Sequence, residues 1–132
     1  MSGALVLDSE GLAKAVQRDR EVHEWLTAAR DVDLPVVTSA AVLVEVVHPR
    51  INDAALKRTL SRLRVEPVTQ ALAQSAAALL RGAGLHGHKY AIDAMLCATA
   101  LAQPGRVTIL TSDVADIAML TGEHARLVAE KV

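Results

Sequence analysis

Two aspartates each follow a short apolar run of the sequence at the point where the run ends. Asp8 comes directly after ALVL, and Asp113 follows VTIL with Thr111 and Ser112 between them. Ligands bind outside the carboxyl ends of the strands in an open parallel sheet, so both carboxylates stand where a ligand is expected. The hydroxyls of Thr111 and Ser112 are suited to orient a neighbouring carboxylate. The competing interpretation is that each aspartate caps the helix that follows it.

Two further acids, Glu45 and Asp93, stand in apolar surroundings. Glu45 is the only charged residue between Val36 and Val47, so we expect its carboxylate on or beside a buried surface. Asp93 lies within AIDAMLCA, on a predicted helix that is apolar nearly all round and therefore buried. An unpaired carboxylate in such a place is costly, so each acid needs a cation, a proton or hydrogen-bond donors. A salt bridge from Lys89, four residues before Asp93, is the local alternative.

Asp116 follows Asp113 by one helical turn and is placed to face the same cleft. Several carboxylates that converge without enough basic partners repel one another and raise each other's pKa. A bound divalent cation removes that penalty, and a site made only of oxygen ligands favours Mg²⁺ or Mn²⁺. Such an ion polarises a phosphodiester and lowers the pKa of a bound water, which produces an attacking hydroxide.

Short apolar runs that alternate with segments of helical period predict the elements that hold these acids. Strands are expected at residues 4–7, 36–38, around Val65 and at 107–110, with a weaker fifth near 127–128. A helix is expected whose inward face is formed by Val22, Trp25, Leu26 and Ala29. Strands alternating with helices require a mainly parallel sheet covered on both faces. We therefore predict an α/β fold, and the length of 132 residues predicts one domain over residues 1–132.

Two helix boundaries depend on single residues. Residues 40–47, AAVLVEVV, are rich in β-branched side chains and would suit a buried strand, but Ser39 as an N-cap and Pro49 beyond the end favour a helix. A second helix over residues 71–80 is expected to end at Gly82 and Gly84, both suited to the left-handed conformation after a helix.

The composition excludes several classes of function. Apolar residues make up 52% and charged residues 22%, which excludes a disordered chain. Trp25 and Tyr90 are the only aromatics, so a base-stacking platform is excluded. The single cysteine, Cys97, cannot form an internal disulfide, and the usual framework of a structural zinc site is missing. With no apolar run of membrane length and no signal-peptide pattern, we expect the protein in the cytoplasm.

The acids and their neighbours resemble a PIN domain, specifically the short VapC-like toxins of bacterial toxin–antitoxin pairs. The resemblance spans nearly the whole chain and is carried, in order, by LVLDSEGL, TSAAVLVEV, YAIDAMLCATAL and ILTSDVADIAML. It implies a PIN-like three-layer sandwich with a central, mainly parallel sheet of four to five strands flanked by helices.

The resemblance also implies a Mg²⁺-dependent endoribonuclease that hydrolyses phosphodiester bonds in single-stranded RNA, with Mn²⁺ able to substitute. The implied acidic quartet is Asp8, Glu45, Asp93 and Asp113. Asp8 and Asp93 would be the principal metal ligands, and Glu45 and Asp113 would complete the site and help to position the nucleophilic water. Asp116 fits a further acid of the family, and Thr111 and Ser112 match its small hydroxyl residues. The implied partners are a cognate antitoxin, which lays a helix across the toxin, and a second copy in a homodimer.

RNA binding has to be reconciled with the charge of the chain. Fourteen Lys and Arg residues against fifteen Asp and Glu residues give a net charge of −1, whereas affinity for phosphate depends on cations. The candidate RNA-binding cations are Lys57, Arg58, Arg62 and Arg64, with Arg50 before them, although an ordinary solvated helix face has the same pattern. His86 and His88 are further candidates to contact RNA or metal, and exposure in a loop is the simpler interpretation.

Other functions stay open at this stage. A PIN-like fold that only binds a partner or RNA would keep the same acids without catalysis. LVLDSEGL also resembles the start of haloacid dehalogenase phosphatases, which would trap a phospho-aspartate at Asp8. The second acid is Glu10 rather than aspartate, however, and the chain leaves little room for the rest of that fold. A receiver-like phospho-acceptor domain is disfavoured because no lysine follows a late strand.

Overall fold

A five-stranded sheet forms the centre of the computed structural model, which describes residues 3–132. Its strands are β1 (Gly3–Leu7), β2 (Val36–Ser39), β3 (Arg64–Glu66), β4 (Arg106–Thr111) and β5 (Leu127–Lys131). They lie in the order β3-β2-β1-β4-β5, and every neighbouring pair is parallel. All five predicted strands are confirmed, including the weaker one at the carboxyl end of the chain.

Helices connect the strands and cover the sheet. They are α1 (Ser9–Val16), α2 (Arg20–Asp31), α3 (Leu43–Val46), α4 (Asp53–Leu60), α5 (Gln70–Ala83), α6 (Gly87–Leu101) and α7 (Val114–Thr121). Helix α1 packs on α2, α3 and α4, whereas α5, α6 and α7 pack on one another. The chain runs from β1 towards β3 and then crosses to β4 and β5, so right-handed crossovers place the two groups on opposite faces. This is the predicted three-layer α/β sandwich. None of the helices within residues 3–132 is long and apolar enough to cross a bilayer.

The core is built from aliphatic side chains on both faces of the sheet. All five residues of β1 are buried, because this strand lies at the centre of the sheet with helices above and below it. In α2 the predicted inward face is confirmed, with Val22 and Ala29 buried and Trp25 and Leu26 packed against the core. A chain without phenylalanine therefore fills its interior with Leu, Val, Ile and Ala.

The ambiguous segment over residues 40–47 is helical, as predicted. A 3₁₀ turn over Ala40–Val42 leads into α3, and the Ser39 hydroxyl caps it by accepting a hydrogen bond from the Ala41 amide at 3.1 Å. The hydrogen bond supplies a partner to an amide that the first turn leaves unsatisfied.

The next long helix was predicted to end at Gly82 and Gly84, and this prediction is wrong for Gly82. Helix α5 continues through Gly82 to Ala83, and only Gly84 adopts the left-handed conformation, with a φ of 68°. The Leu85 amide then donates to the Leu80 carbonyl at 3.0 Å, which closes the last turn around Gly84.

Candidate active site

Asp8 lies at the carboxyl end of β1, where the crossovers of the sheet change direction between β1 and β4. Its side chain is only 6% exposed and accepts a hydrogen bond from the Gly11 amide at 2.9 Å. Burial raises the pKa of Asp8, while hydrogen bonds from the Gly11 amide and the Thr111 hydroxyl oppose that rise. Asp8 is therefore both the N-cap of α1 and a carboxylate at the switch point of the sheet.

Thr111 links the ends of β1 and β4. Thr111 is fully buried, and its hydroxyl oxygen accepts a hydrogen bond from the Asp113 amide at 2.9 Å. The same hydroxyl forms a hydrogen bond with Asp8 that favours the ionised form of that carboxyl. The Asp113 side chain is exposed and makes no capping hydrogen bond to α7, so the capping interpretation is wrong for this residue. Ser112 is exposed beside it.

Asp93 lies in α6 and is partly buried. Burial and the negative charge of surrounding carboxylates raise its pKa to about 6. The acids that contribute are, in decreasing order, Glu45, Asp8, Asp116 and Asp113. Because charge repulsion weakens with distance, these contributions mean that the fold brings all five predicted acids into one neighbourhood.

Lys89 does not form the salt bridge with Asp93 that the four-residue spacing allows. The two ion pairs within residues 3–132 are Arg20–Glu24 and Arg64–Glu66. Tyr90 has a non-helical φ of −112°, so the helix is kinked between Lys89 and Asp93. The Lys89 ammonium instead lies 5.2 Å from the centre of the Tyr90 ring.

Glu45 is exposed, so its carboxylate lies beside a buried surface rather than on one. One turn of helix buries only one side, and in α3 that side is occupied by Val46. The Ser9 hydroxyl donates a hydrogen bond to Glu45 Oε1 at 2.5 Å, which ties α3 to the first residue of α1. The sequence analysis assigned no role to Ser9. Its position directly after Asp8 is the one feature of the sequence that could have identified Ser9 as a site residue.

Asp116 lies at the edge of the cluster. Burial and the neighbouring Asp113 raise the pKa of Asp116, whereas Lys89 lowers it. Lys89 is thus a cation at this edge of the cluster, and its charge favours the ionised form of Asp116. Behind Asp93, burial raises the pKa of Cys97 to about 12, so this thiol stays neutral as a core residue.

The acidic cluster fits a hard cation by the chemistry of its donors, because it offers carboxylates that repel one another and no basic side chain paired with Asp93. Within residues 3–132, no three acidic, histidine or cysteine side chains stand close enough to ligate one ion together. Mg²⁺ commonly keeps several waters and uses one or two carboxylates, so a loose arrangement of this kind suits it better than a tight protein cage would.

The other predicted site residues are basic and lie at other positions along the chain. His86 and His88 are exposed at the start of α6. Lys57 and Arg58 lie on α4, and Arg62 and Arg64 follow it in the chain. Arg64 pairs with Glu66 at 3.8 Å.

The fold and the acidic cluster define a parallel α/β protein whose carboxylates gather at the switch point of the sheet. A family model of the PIN domain matches residues 5–115, a range that includes Asp8, Glu45, Asp93 and Asp113, and the chain belongs to this family. No curated protein matches the chain significantly in sequence.

Solved structures share this fold. VapBC2 from Rickettsia felis, bound to a DNA fragment from the promoter, superposes with a TM-score of 0.68 at 16% identity over 98% of each chain. A toxin–antitoxin complex from Klebsiella pneumoniae gives 0.68 at 22% identity, covering 98% of this chain and 100% of the other. FitAcB from Neisseria gonorrhoeae gives 0.56 at 17% identity over 95% of each chain. At such identities the similarity establishes the fold alone.

Proposed function

We propose that this protein is a Mg²⁺-dependent endoribonuclease that hydrolyses single-stranded RNA and serves as the toxin of a toxin–antitoxin pair. The observation that carries the proposal is the Asp93 carboxyl, whose pKa of about 6 reflects burial and four surrounding acids at one edge of a parallel sheet. Membership of the PIN domain family and similarity in fold to toxin–antitoxin structures support the same function.

Asp8 and Asp93 are the residues that would hold the metal most directly, with Glu45, Asp113 and Asp116 completing the site. When bound, the ion neutralises the repelling carboxylates, polarises the phosphodiester and lowers the pKa of a water bound to it.

The remaining polar groups of the site orient these acids. The Gly11 amide and the Thr111 hydroxyl fix the Asp8 carboxylate at the end of β1. Ser9 occupies one oxygen of Glu45 and leaves the other free to accept a hydrogen bond from an attacking water. Asp113 is not used as a helix cap, and its carboxylate instead interacts with the neighbouring Asp116.

Two protein partners belong to the proposal. The first is a cognate antitoxin, in line with the toxin–antitoxin complex from Klebsiella pneumoniae that shares the fold. The second is another copy of the chain in a homodimer. The proposed place of action is the cytoplasm, where a lone reduced cysteine such as Cys97 is the norm.

The test is cleavage of labelled single-stranded RNA by the wild type and by two variants. We expect cleavage with Mg²⁺ or Mn²⁺ and none in EDTA. Asp93→Asn should lower the rate by about a hundredfold or more, because a principal ligand is lost while the shape of the side chain is kept. Asp31→Asn changes an exposed acid at the end of α2 and should leave the rate unchanged.

Two results would contradict this function. Full activity of Asp93→Asn, or activity in EDTA, would remove the metal mechanism. RNA binding without any cleavage by the wild type would favour a PIN-like module that only binds a partner or RNA.

A further inference from the structure

A groove with a volume of about 680 Å³ lies beside the acidic cluster, between α1 and the segment that runs from α3 into α4. We call it the α1–α4 groove. Its charged and polar lining includes Ser9, Glu10, Glu45 and His48 as well as three arginines. The Ser9–Glu45 hydrogen bond thus borders the groove together with Arg18 from the turn after α1, Arg50 from the turn before α4 and Arg58 from α4 itself.

The three arginines of the groove are available to a ligand. Arg18, Arg50 and Arg58 are exposed, and the two ion pairs within the described part of the chain involve none of them. Glu10 and Glu45 are the two acids among the lining residues, and Glu45 is hydrogen-bonded to Ser9. A guanidinium without a carboxylate partner matches the geometry of a phosphate group, which it binds through two parallel hydrogen bonds.

His48 adds a hydrogen-bond donor to the lining of the groove. Its Nδ1 accepts a hydrogen bond from the Arg50 amide at 3.1 Å. Because Nδ1 is already the acceptor of this bond, Nε2 is the ring nitrogen that can donate to a phosphate oxygen. The same hydrogen bond fixes the turn that presents Arg50 to the groove.

The length of the groove sets the size of its ligand. Helix α1, which forms one wall, has eight residues and is therefore about 12 Å long. At about 3.4 Å per nucleotide of a stacked strand, this wall accommodates roughly three to four nucleotides.

We propose that the α1–α4 groove binds the phosphodiester backbone of the RNA strand that leaves the acidic cluster, with Arg18, Arg50 and Arg58 as the phosphate-binding residues. The inference rests on the proposed function and adds the path of the substrate to it. Arg18 lies outside the basic cluster indicated by the sequence, because only folding brings the end of α1 beside α4.

An acidic segment of a partner protein is the alternative ligand for these arginines. Arg18 and Arg58 also border a second cavity of about 400 Å³, whose wall includes Leu26, Leu34 and Leu63. The leucines of this wall suit a protein side chain, whereas the α1–α4 groove is the one that Ser9 and Glu45 of the acidic cluster also line. Arg50 lines only the α1–α4 groove and Arg30 lines only the second cavity, so these two residues separate the alternatives.

The binding test uses the full chain with Asp93→Asn, so that a labelled single-stranded RNA of mixed sequence stays intact during fluorescence anisotropy. Added Arg18→Ala, Arg50→Ala or Arg58→Ala should each raise Kd by about tenfold. Each should also reduce the dependence of log affinity on log salt by about 0.7 for the lost phosphate contact. Arg81→Ala on α5, on the opposite face of the sheet, and Arg30→Ala should change neither quantity.

A kinetic test uses the same changes in the active protein. The groove variants should raise KM for an oligonucleotide more than they change kcat, whereas Arg81→Ala should leave both KM and kcat unchanged. Unchanged melting temperatures exclude loss of fold as the cause.

The possible failures of the two proposals are distinguishable. If the wild type cleaves RNA but the groove variants behave like Arg81→Ala, the groove assignment is wrong and the nuclease proposal stands. If Arg30→Ala weakens RNA binding and Arg50→Ala does not, the path runs through the second cavity instead and the groove assignment is wrong. If the wild type neither binds nor cleaves RNA, both proposals fail.

Discussion

Among the acids of the cluster, Asp93 has the most strongly raised pKa. It is partly buried in α6, no ion pair within residues 3–132 involves it, and its pKa of about 6 lies well above the ordinary value of 3.8 for aspartate. A raised pKa means that the folded protein holds this proton more tightly than the unfolded chain does. In the absence of metal, ionising Asp93 therefore destabilises the fold.

The stability of the metal-free protein should depend on Asp93 in one pH window. In EDTA, the free energy of unfolding of the wild type should fall as pH rises from about 4 to about 6, because in this range the unfolded chain has lost the Asp93 proton that the folded protein still holds. Asp93→Asn lacks this loss and should be more stable than the wild type by about 1–2 kcal/mol at neutral pH, after screening of a partly exposed carboxyl by water. Urea unfolding at about pH 4 and about pH 7 measures the difference.

Asp31→Asn is the matched control and should show no such pH-dependent difference from the wild type. A large loss of stability in metal-free Asp93→Asn at neutral pH would instead mean that the carboxylate has a stabilising cationic partner, as the Lys89 salt bridge would supply.

At the scale of single residues, the sequence identified the acids of the cluster but not the contacts and exposure of each one. Asp8 and Asp113 were predictable because each follows an apolar strand, and parallel strands place their carboxyl ends at one edge. The exposure of Glu45 was not predictable, because it depends on how one turn of helix is rotated against α1. The Ser9–Glu45 contact joins residues 36 positions apart, so local spacing contains no signal for it.

Helix α1 approaches the sheet closely at one residue, Gly11. A Cβ atom at this position would meet the Leu110 carbonyl oxygen at 2.8 Å and the Cβ atoms of Leu7 and Leu110 at 3.5 Å. The Gly11 amide also donates to Asp8, so the same contact that brings α1 against the sheet orients a carboxylate of the site.

Gly11→Ala should therefore destabilise the protein. The added methyl group forces α1 away from a backbone carbonyl, at a cost of about 1–3 kcal/mol that a better helix propensity offsets only in part. RNA cleavage should fall as well, because Asp8 and Ser9 move with the helix. Thermal unfolding and the cleavage rate measure the two effects.

Gly82→Ala is the control for helix propensity. Nothing lies within 4 Å of a Cβ at Gly82, so this variant should gain about 0.5–1 kcal/mol of stability and keep full activity. Equal stability changes in the two variants would show that the close approach at Gly11 has no energetic importance.

At the scale of elements, the alternation of strands and helices was readable from apolar runs and their period. Local distortions were not, because tertiary packing decides them. Gly82 is a residue that often ends a helix, yet α5 continues through it and packs on α6 up to Gly84. The kink at Tyr90, which separates Lys89 from Asp93, likewise has no signature in the apolar pattern.

The whole molecule gathers acids that are distant in sequence because of its strand order. The chain moves outward from β1 to β3 and then returns to β4, so the carboxyl ends of β1 and β4 become neighbours with α6 beside them. The sequence predicted this arrangement through the α/β pattern and the resemblance to PIN domains. The spacing between the carboxylates, too wide in the described residues for three to share one ion, could not be predicted without coordinates.

Calorimetric titration of the purified protein with Mn²⁺ tests most directly whether these acids form one metal site. The wild type and Asp31→Asn should bind Mn²⁺ with the same affinity, and Asp93→Asn should bind it about a hundredfold more weakly or not at all. Equal Mn²⁺ affinity in the wild type and Asp93→Asn, or no binding to the wild type, would contradict the existence of a shared site.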